Sequence, residues 1–166
     1  MADTMAHMAR RLYTVSATRH LEAPPERIYG LIADYVQGHP RIVPPKYFRD
    51  FVVRQGGYGA GTEIEFTMIV AGRAQRVVAD ITEPVPGRML VETVKGGGVV
   101  TSFRVEPSGR GADVTIATEL EQKPGMAGRI ERWLAGRVLP RIYREELVRL
   151  GSIARETPAP QSDPIP

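Results

Sequence analysis

Tyr35 and His39 stand four residues apart just beyond a predicted first helix. A phenol beside an imidazole can act as a hydrogen-bonding or acid–base pair toward a bound molecule. A histidine in a connecting loop is ordinarily a surface residue, so exposure is the plain expectation for His39. Arg76, Asp80 and Glu92 raise a second question, because each falls in a strand of ambiguous alternation. Arg76 and Asp80 share parity with Val78, and Glu92 shares parity with Leu90 and Val94. If those parities point inward, charge is enclosed and must be paired or functional. Tyr35, His39, Arg76 and Glu92 are therefore the candidates for acid–base catalysis. The pairs Glu63/Glu65 and Glu119/Glu121 lie opposite the apolar residues of their strands and read as solvated surface.

Several chemistries are excluded or disfavoured. The chain has no cysteine, which removes disulfides, thiolate zinc sites and cysteine nucleophiles. His7, His20 and His39 are too scattered to assemble a metal site, and no His-x-x-x-His motif or carboxylate cluster accompanies them. The run Gly56 to Gly61 lacks G-x-G-x-x-G spacing, a following helix and a Lys-Ser/Thr pair, so it reads as a flexible hairpin turn rather than a phosphate loop. No serine sits in a G-x-S-x-G elbow, and no motif calls for a cofactor. The formal charge of +3 is ordinary and gives no argument for nucleic acid. No apolar run approaches the roughly 20 residues of a membrane span, and the N-terminus lacks a signal-peptide core, so a cytoplasmic protein is expected.

These residues need elements to position them. A chain of 166 residues is long enough for one domain with a real core. We expect a leader over 1–11, a folded domain over 12–156 and a disordered tail over 157–166, where TPAPQSDPIP carries no packing signal. Tyr13 to Glu22 reads as a strand with Tyr13, Val15, Ala17 and Leu21 on one parity. Pro24-Pro25-Glu26 then opens a short helix striped by Ile28, Leu31 and Ile32 and ending near Asp34. A stubby helical turn fits between His39-Pro40 and Pro44-Pro45. From residue 48 to 122, six alternating strands are separated by short Gly- and Pro-rich turns, which join only antiparallel neighbours. The pattern predicts an α+β fold, about seven antiparallel strands with one wet face, and a long C-terminal helix across the other.

That helix, Pro124 to Glu156, contains Pro140 and should be interrupted or kinked there. At about 100° per residue, Leu139, Ile142, Tyr143, Leu147, Leu150 and Ile153 form one apolar set, and Met126, Ile130, Trp133, Leu134 and Val138 form another roughly opposite. One straight helix cannot bury both against one sheet. The later segment is expected to grip the sheet. The earlier one could be a lid over a cavity mouth, a homodimer contact, a peripheral membrane-touching surface, or part of the core.

The run TRHLEAPPERIYGLIADYVQGHPRIVPP resembles the opening of the SRPBCC superfamily, which takes in START, birch-pollen-allergen-like and polyketide-cyclase-like proteins. The matching features are Leu21, Ala23-Pro24, Ile28-Tyr29, Leu31-Ile32, Asp34 and Pro40, followed by Gly61-Thr62, Pro86-Gly87-Arg88 and Gly111, all in family order. The resemblance covers about residues 12 to 156. It implies a helix-grip fold, a cavity between sheet and helix, and an apolar ligand such as a lipid, polyketide or quinone-like molecule; it implies no single activity. The expected ligand contacts are Ile64, Phe66, Met68, Phe103, Ile116, Trp133 and Tyr143. Binding or transport of a small hydrophobic or amphipathic ligand is the leading reading, ahead of a cyclase or dehydrase enzyme and of an interaction or quinone-chaperone protein.

Overall fold

In the computed structural model the described residues are 11–156. The leader and tail expected at the ends fall almost wholly outside them. Arg11 is an exception, for its carbonyl accepts a hydrogen bond from the Gln122 amide at 2.7 Å.

The alternating segments become seven strands: β1 Leu12–Leu21, β2 Phe48–Gln55, β3 Glu63–Val70, β4 Arg73–Val85, β5 Met89–Val94, β6 Val99–Ser108 and β7 Gly111–Glu121. They form one curved antiparallel sheet in the order β1-β7-β6-β5-β4-β3-β2. Every neighbour after the β1–β7 pair is a hairpin, as the short turns require. β1 closes against β7 in a register running from Leu12 opposite Glu121 to Leu21 opposite Ala112.

Helix α1, Pro25–Ala33, starts with proline in its first turn and Glu26 beside the positive end of its dipole. It stops at Asp34, whose Oδ1 accepts from the backbone N–H groups of Val36 and Gln37, each at 3.0 Å. α2 is the single turn His39–Ile42.

Helix α3, Gly125–Arg155, runs through Pro140 without ending there. Proline removes one backbone donor, but of the interruption or kink expected at Pro140 the interruption does not occur. Its later half is the grip: Leu139, Ile142, Tyr143, Leu147, Leu150, Ile153 and Ala154 are buried, and the helix packs on β1, α1 and α2. The second apolar set is divided. Leu134 and Val138 face the interior, whereas Met126, Ile130 and Trp133 are exposed, Trp133 at 60%. The front half of α3 therefore has a cavity side and an apolar solvent side, and Trp133 is not core.

Candidate functional site

Between the sheet and the front half of α3 lies a cavity of about 280 Å³. Alternation along β3, β4, β6 and β7 turns Ile64, Phe66, Met68, Val77, Ala79, Phe103 and Ile116 into its walls. Strand β2 breaks the rule. A register shift between Arg49 and Val52, with Asp50 in the left-handed region at φ 53°, lets both Phe48 and Phe51 line the cavity although they are three residues apart. A bulge re-aims side chains in this way. Phe51 and Phe66 stack at 6.0 Å between ring centroids, and Phe48 tilts against Phe66 at 5.4 Å.

Polar groups interrupt this apolar lining, His39, Glu92 and Glu146 among them. Tyr35 comes from the turn after α1, His39 from the start of α2, Glu92 from β5 and Glu146 from α3. Glu92 shares the inner face with Ile81 and Thr101, its neighbours across the sheet. Tyr35 O–H donates to Glu92 Oε1 at 2.7 Å. His39 is 2% exposed, which overturns the expectation of a surface histidine. Its Nδ1 lies 2.8 Å from the Ile32 carbonyl oxygen, and a carbonyl only accepts, so this nitrogen carries the hydrogen. Nε2 is left facing Glu92 Oε1 at 3.6 Å, an ion pair whenever the ring is protonated. Tyr35 and His39 do not bond to one another. Their rings stack at 4.5 Å, and both groups converge on the same carboxylate oxygen.

The glycine turn holds this arrangement in place. The amide of Tyr35 donates to the Gly57 carbonyl at 2.9 Å, and that of Gly59 donates to the Ala33 carbonyl at 2.9 Å. Both glycines have positive φ, and a Cβ would stand 2.9 Å from Val36 Cγ2 at Gly57 and 2.4 Å from Glu83 Oε2 at Gly59. Side chains are absent here so that the turn can sit against the end of α1. The turn is thus a fixed support for Tyr35 rather than a loose connection.

Glu146 was not singled out by its sequence. It is 2% exposed, lines the cavity, and has one oxygen, Oε1, buried with no hydrogen-bond partner. Burial, and after it the charge of Glu92, push its carboxyl well above the usual carboxylate range. The sequence did hold a signal. At about 100° per residue, position 146 falls inside the apolar arc of Leu139, Ile142, Leu150 and Ile153, where a glutamate is out of place. On the same helix Tyr143 O–H meets Thr118 Oγ1 at 2.5 Å, and Thr118 Oγ1 meets Thr101 Oγ1 at 2.7 Å. Burial foremost raises the phenols of Tyr35 and Tyr143 above their ordinary value, so both remain neutral donors.

Arg76 is placed elsewhere. It lies on the outer face of β4, its side chain 65% exposed, and pairs with Glu65; Asp80, on the same face, pairs with Lys95 at 3.4 Å. The inward parity of β4 is that of Val77, Ala79 and Ile81, so the ambiguous alternation resolves against Arg76 and Asp80 and in favour of Glu92. Of the expected ligand contacts, Ile64, Phe66, Met68, Phe103, Ile116 and Tyr143 line the cavity and Trp133 does not. No group of three or more metal-ligating side chains is gathered among the described residues, and none of their helices is long and apolar enough to cross a membrane.

A family model described as polyketide cyclase / dehydrase and lipid transport matches residues 13–155. Among curated proteins none matches the chain. Among solved structures, the KanY protein (ms6282) is similar with a TM-score of 0.78 and 26% identity, over 88% of this chain and 99% of that one. The ZhuI aromatase/cyclase from Streptomyces sp. R1128 is similar with a TM-score of 0.69 and 16% identity, over 87% and 94% of the two chains. A START superfamily protein from Mycobacterium smegmatis is similar with a TM-score of 0.66 and 15% identity, over 84% and 98%. At those identities the last two likenesses concern the fold alone.

Proposed function

The chain belongs to the polyketide cyclase / dehydrase and lipid transport family, and from that premise we propose that it binds a small, largely apolar molecule in the cavity between sheet and helix. One observation carries the reading: an aromatic and aliphatic cavity of about 280 Å³, nearly twice the roughly 150 Å³ of an apolar cavity that accepts benzene. A two-ring molecule is of suitable size. Its rings would lie against Phe48, Phe51 and Phe66, and its polar end would reach the groups around Glu92. The neutral dye N-phenyl-1-naphthylamine should brighten on binding at micromolar concentration, and Val138→Trp, which places an indole in the cavity wall, should weaken that uptake at least about tenfold. Native mass spectrometry should show small molecules carried through gentle purification. A wild-type protein that takes up neither dye nor cargo would defeat the proposal.

The second reading is an acid–base enzyme acting on a polyketide-like chain, and the convergence of Tyr35 and His39 on Glu92 favours it. If it holds, the protein changes the ring pattern formed from a poly-β-keto chain, and Glu92→Gln removes the change while dye binding persists. Unaltered products alongside normal dye uptake would leave the carrier reading alone.

A further inference from the structure

The charges around the cavity are one-sided. Glu92, Glu131 and Glu146 line it, and among the described residues no lysine or arginine does. Glu131 stands at the solvent side, paired with Lys123 at 3.1 Å. Glu92 has Tyr35 and His39 for partners. Glu146 makes no ion pair among the described residues, and its buried Oε1 is without a hydrogen bond. An unsatisfied buried polar group is costly, about 1–3 kcal/mol, and a leucine at 146 would fit the apolar arc better. A cavity-lining carboxyl retained on those terms is suited to a partner that arrives from outside.

We propose that Glu146 is a polar anchor of this cavity, donating a hydrogen bond from its carboxyl O–H to a carbonyl oxygen of an uncharged ligand. The inference rests on the binding role proposed above. Among the described residues, the groups that bear on Glu146 are all neutral or acidic except one. From α3 itself there is Tyr143, from β5 Glu92, and from the turn after α1 Tyr35. The exception, His39, also lines the cavity but is turned to Glu92. A ligand carboxylate would enter beside two glutamates with no lysine or arginine to receive it, and burying such a charge unpaired is prohibitive. A neutral ketone asks only for a donor. Burial favours the protonated form of Glu146, and in that form the carboxyl supplies the donor.

Four naphthalene probes of similar size separate the alternatives: 2-acetylnaphthalene, 2-ethylnaphthalene, 2-naphthoate and 2-naphthylmethylamine, each measured by displacement of N-phenyl-1-naphthylamine at pH 7. In the wild type the ketone should bind up to about tenfold more tightly than the hydrocarbon, the return on one hydrogen bond, and naphthoate and the amine should bind least. Glu146→Leu should erase the ketone's advantage while leaving 2-ethylnaphthalene within about twofold. Glu146→Gln, whose amide also donates, should keep the advantage within about threefold. In the infrared, the bound ketone's carbonyl stretch should fall to lower wavenumber in the wild type and Glu146→Gln but not in Glu146→Leu. A ketone advantage that survives Glu146→Leu, or an amine or carboxylate that binds tightest, overturns the assignment while the binding role stands. Failure of every probe, the hydrocarbon included, counts instead against the binding role.

Discussion

Glu63 and Glu65 on the outer face of β3, and Glu92 and Glu146 inside the cavity, are the same side chain in opposite surroundings. Outside, cations are in supply. Glu65 pairs with Arg54 and Arg76, and Glu63 with Lys95 at 2.5 Å and Arg54 at 3.6 Å. Hydrogen bonds from Lys95 to Glu63 and from Arg76 to Glu65 hold both carboxyls below the usual range. Inside, no described lysine or arginine lines the cavity, and burial moves Glu146 the other way. The outer glutamates are thus surface charges with local partners, whereas inside only Glu92 has partners and Glu146 is tolerated in an apolar enclosure at a cost to the fold. A group kept against the interest of stability is where function should be sought.

The strongest challenge to this contrast is to add a further carboxylate inside. Ile64 is buried in the cavity wall, and Ile64→Glu should lose more than about 4 kcal/mol in a urea melt, the range reserved for unpaired buried charge. Near-wild-type stability would mean that the interior accommodates charge as the outer face does. Next comes removal of the carboxyl already there. Glu146→Leu should gain about 1–3 kcal/mol, the penalty of an unsatisfied buried group. The pH dependence has a definite sign. Below the ordinary glutamate pKa of about 4.3, the carboxyl is protonated whether the chain is folded or not. Above it the unfolded chain releases the proton and the folded chain keeps it, so wild-type stability falls as pH rises until the folded carboxyl titrates. The advantage of Glu146→Leu should therefore grow from pH 4 toward neutrality; an advantage constant with pH would show that Glu146 ionises normally in the fold.

Two smaller effects complete the series. Trp133→Ala should change stability by no more than about 0.5 kcal/mol, because Trp133 packs outside the core with Arg137 over its ring at 4.9 Å. A larger loss would make the front half of α3 part of the grip. Glu65→Gln should lower the melting temperature slightly at low salt and not at all at 1 M, where screening extends over only about 3 Å. A loss that persists in salt would show that the outer charges are not simply solvated.

Much of the fold was legible because it depends on local signals. Pro25 and Asp34 bound α1, the Gly- and Pro-rich turns separate β2 to β7, and period-two alternation names the inner faces of β3 and β7. In the site, Tyr35, His39 and Glu92 could be named, and six of the seven residues expected at a ligand line the cavity. The errors have physical causes. Arg76 was suspected because its apolar neighbour Val78 is half-buried on the outer face, which makes both parities of β4 look inward. Trp133 was expected at the ligand because aromatic bulk ordinarily means burial, yet the cavity takes Leu134 and Val138 from that helix and leaves Trp133 to solvent. His39 was expected at the surface because loops are; its ring is enclosed by Tyr35, Phe51 and Phe103.

By itself the sequence determined the element order, the antiparallel connectivity and the absence of cysteine chemistry, since each follows from neighbouring residues or from composition. Only the tertiary structure decided which charges share a space. Tyr35 and Glu92 are 57 residues apart in the chain, and Glu146 reaches the same cavity from the last helix. Their meeting depends on how a curved sheet, a bulge at Asp50 and a glycine turn set against α1 close around one volume, and no local pattern carries that geometry.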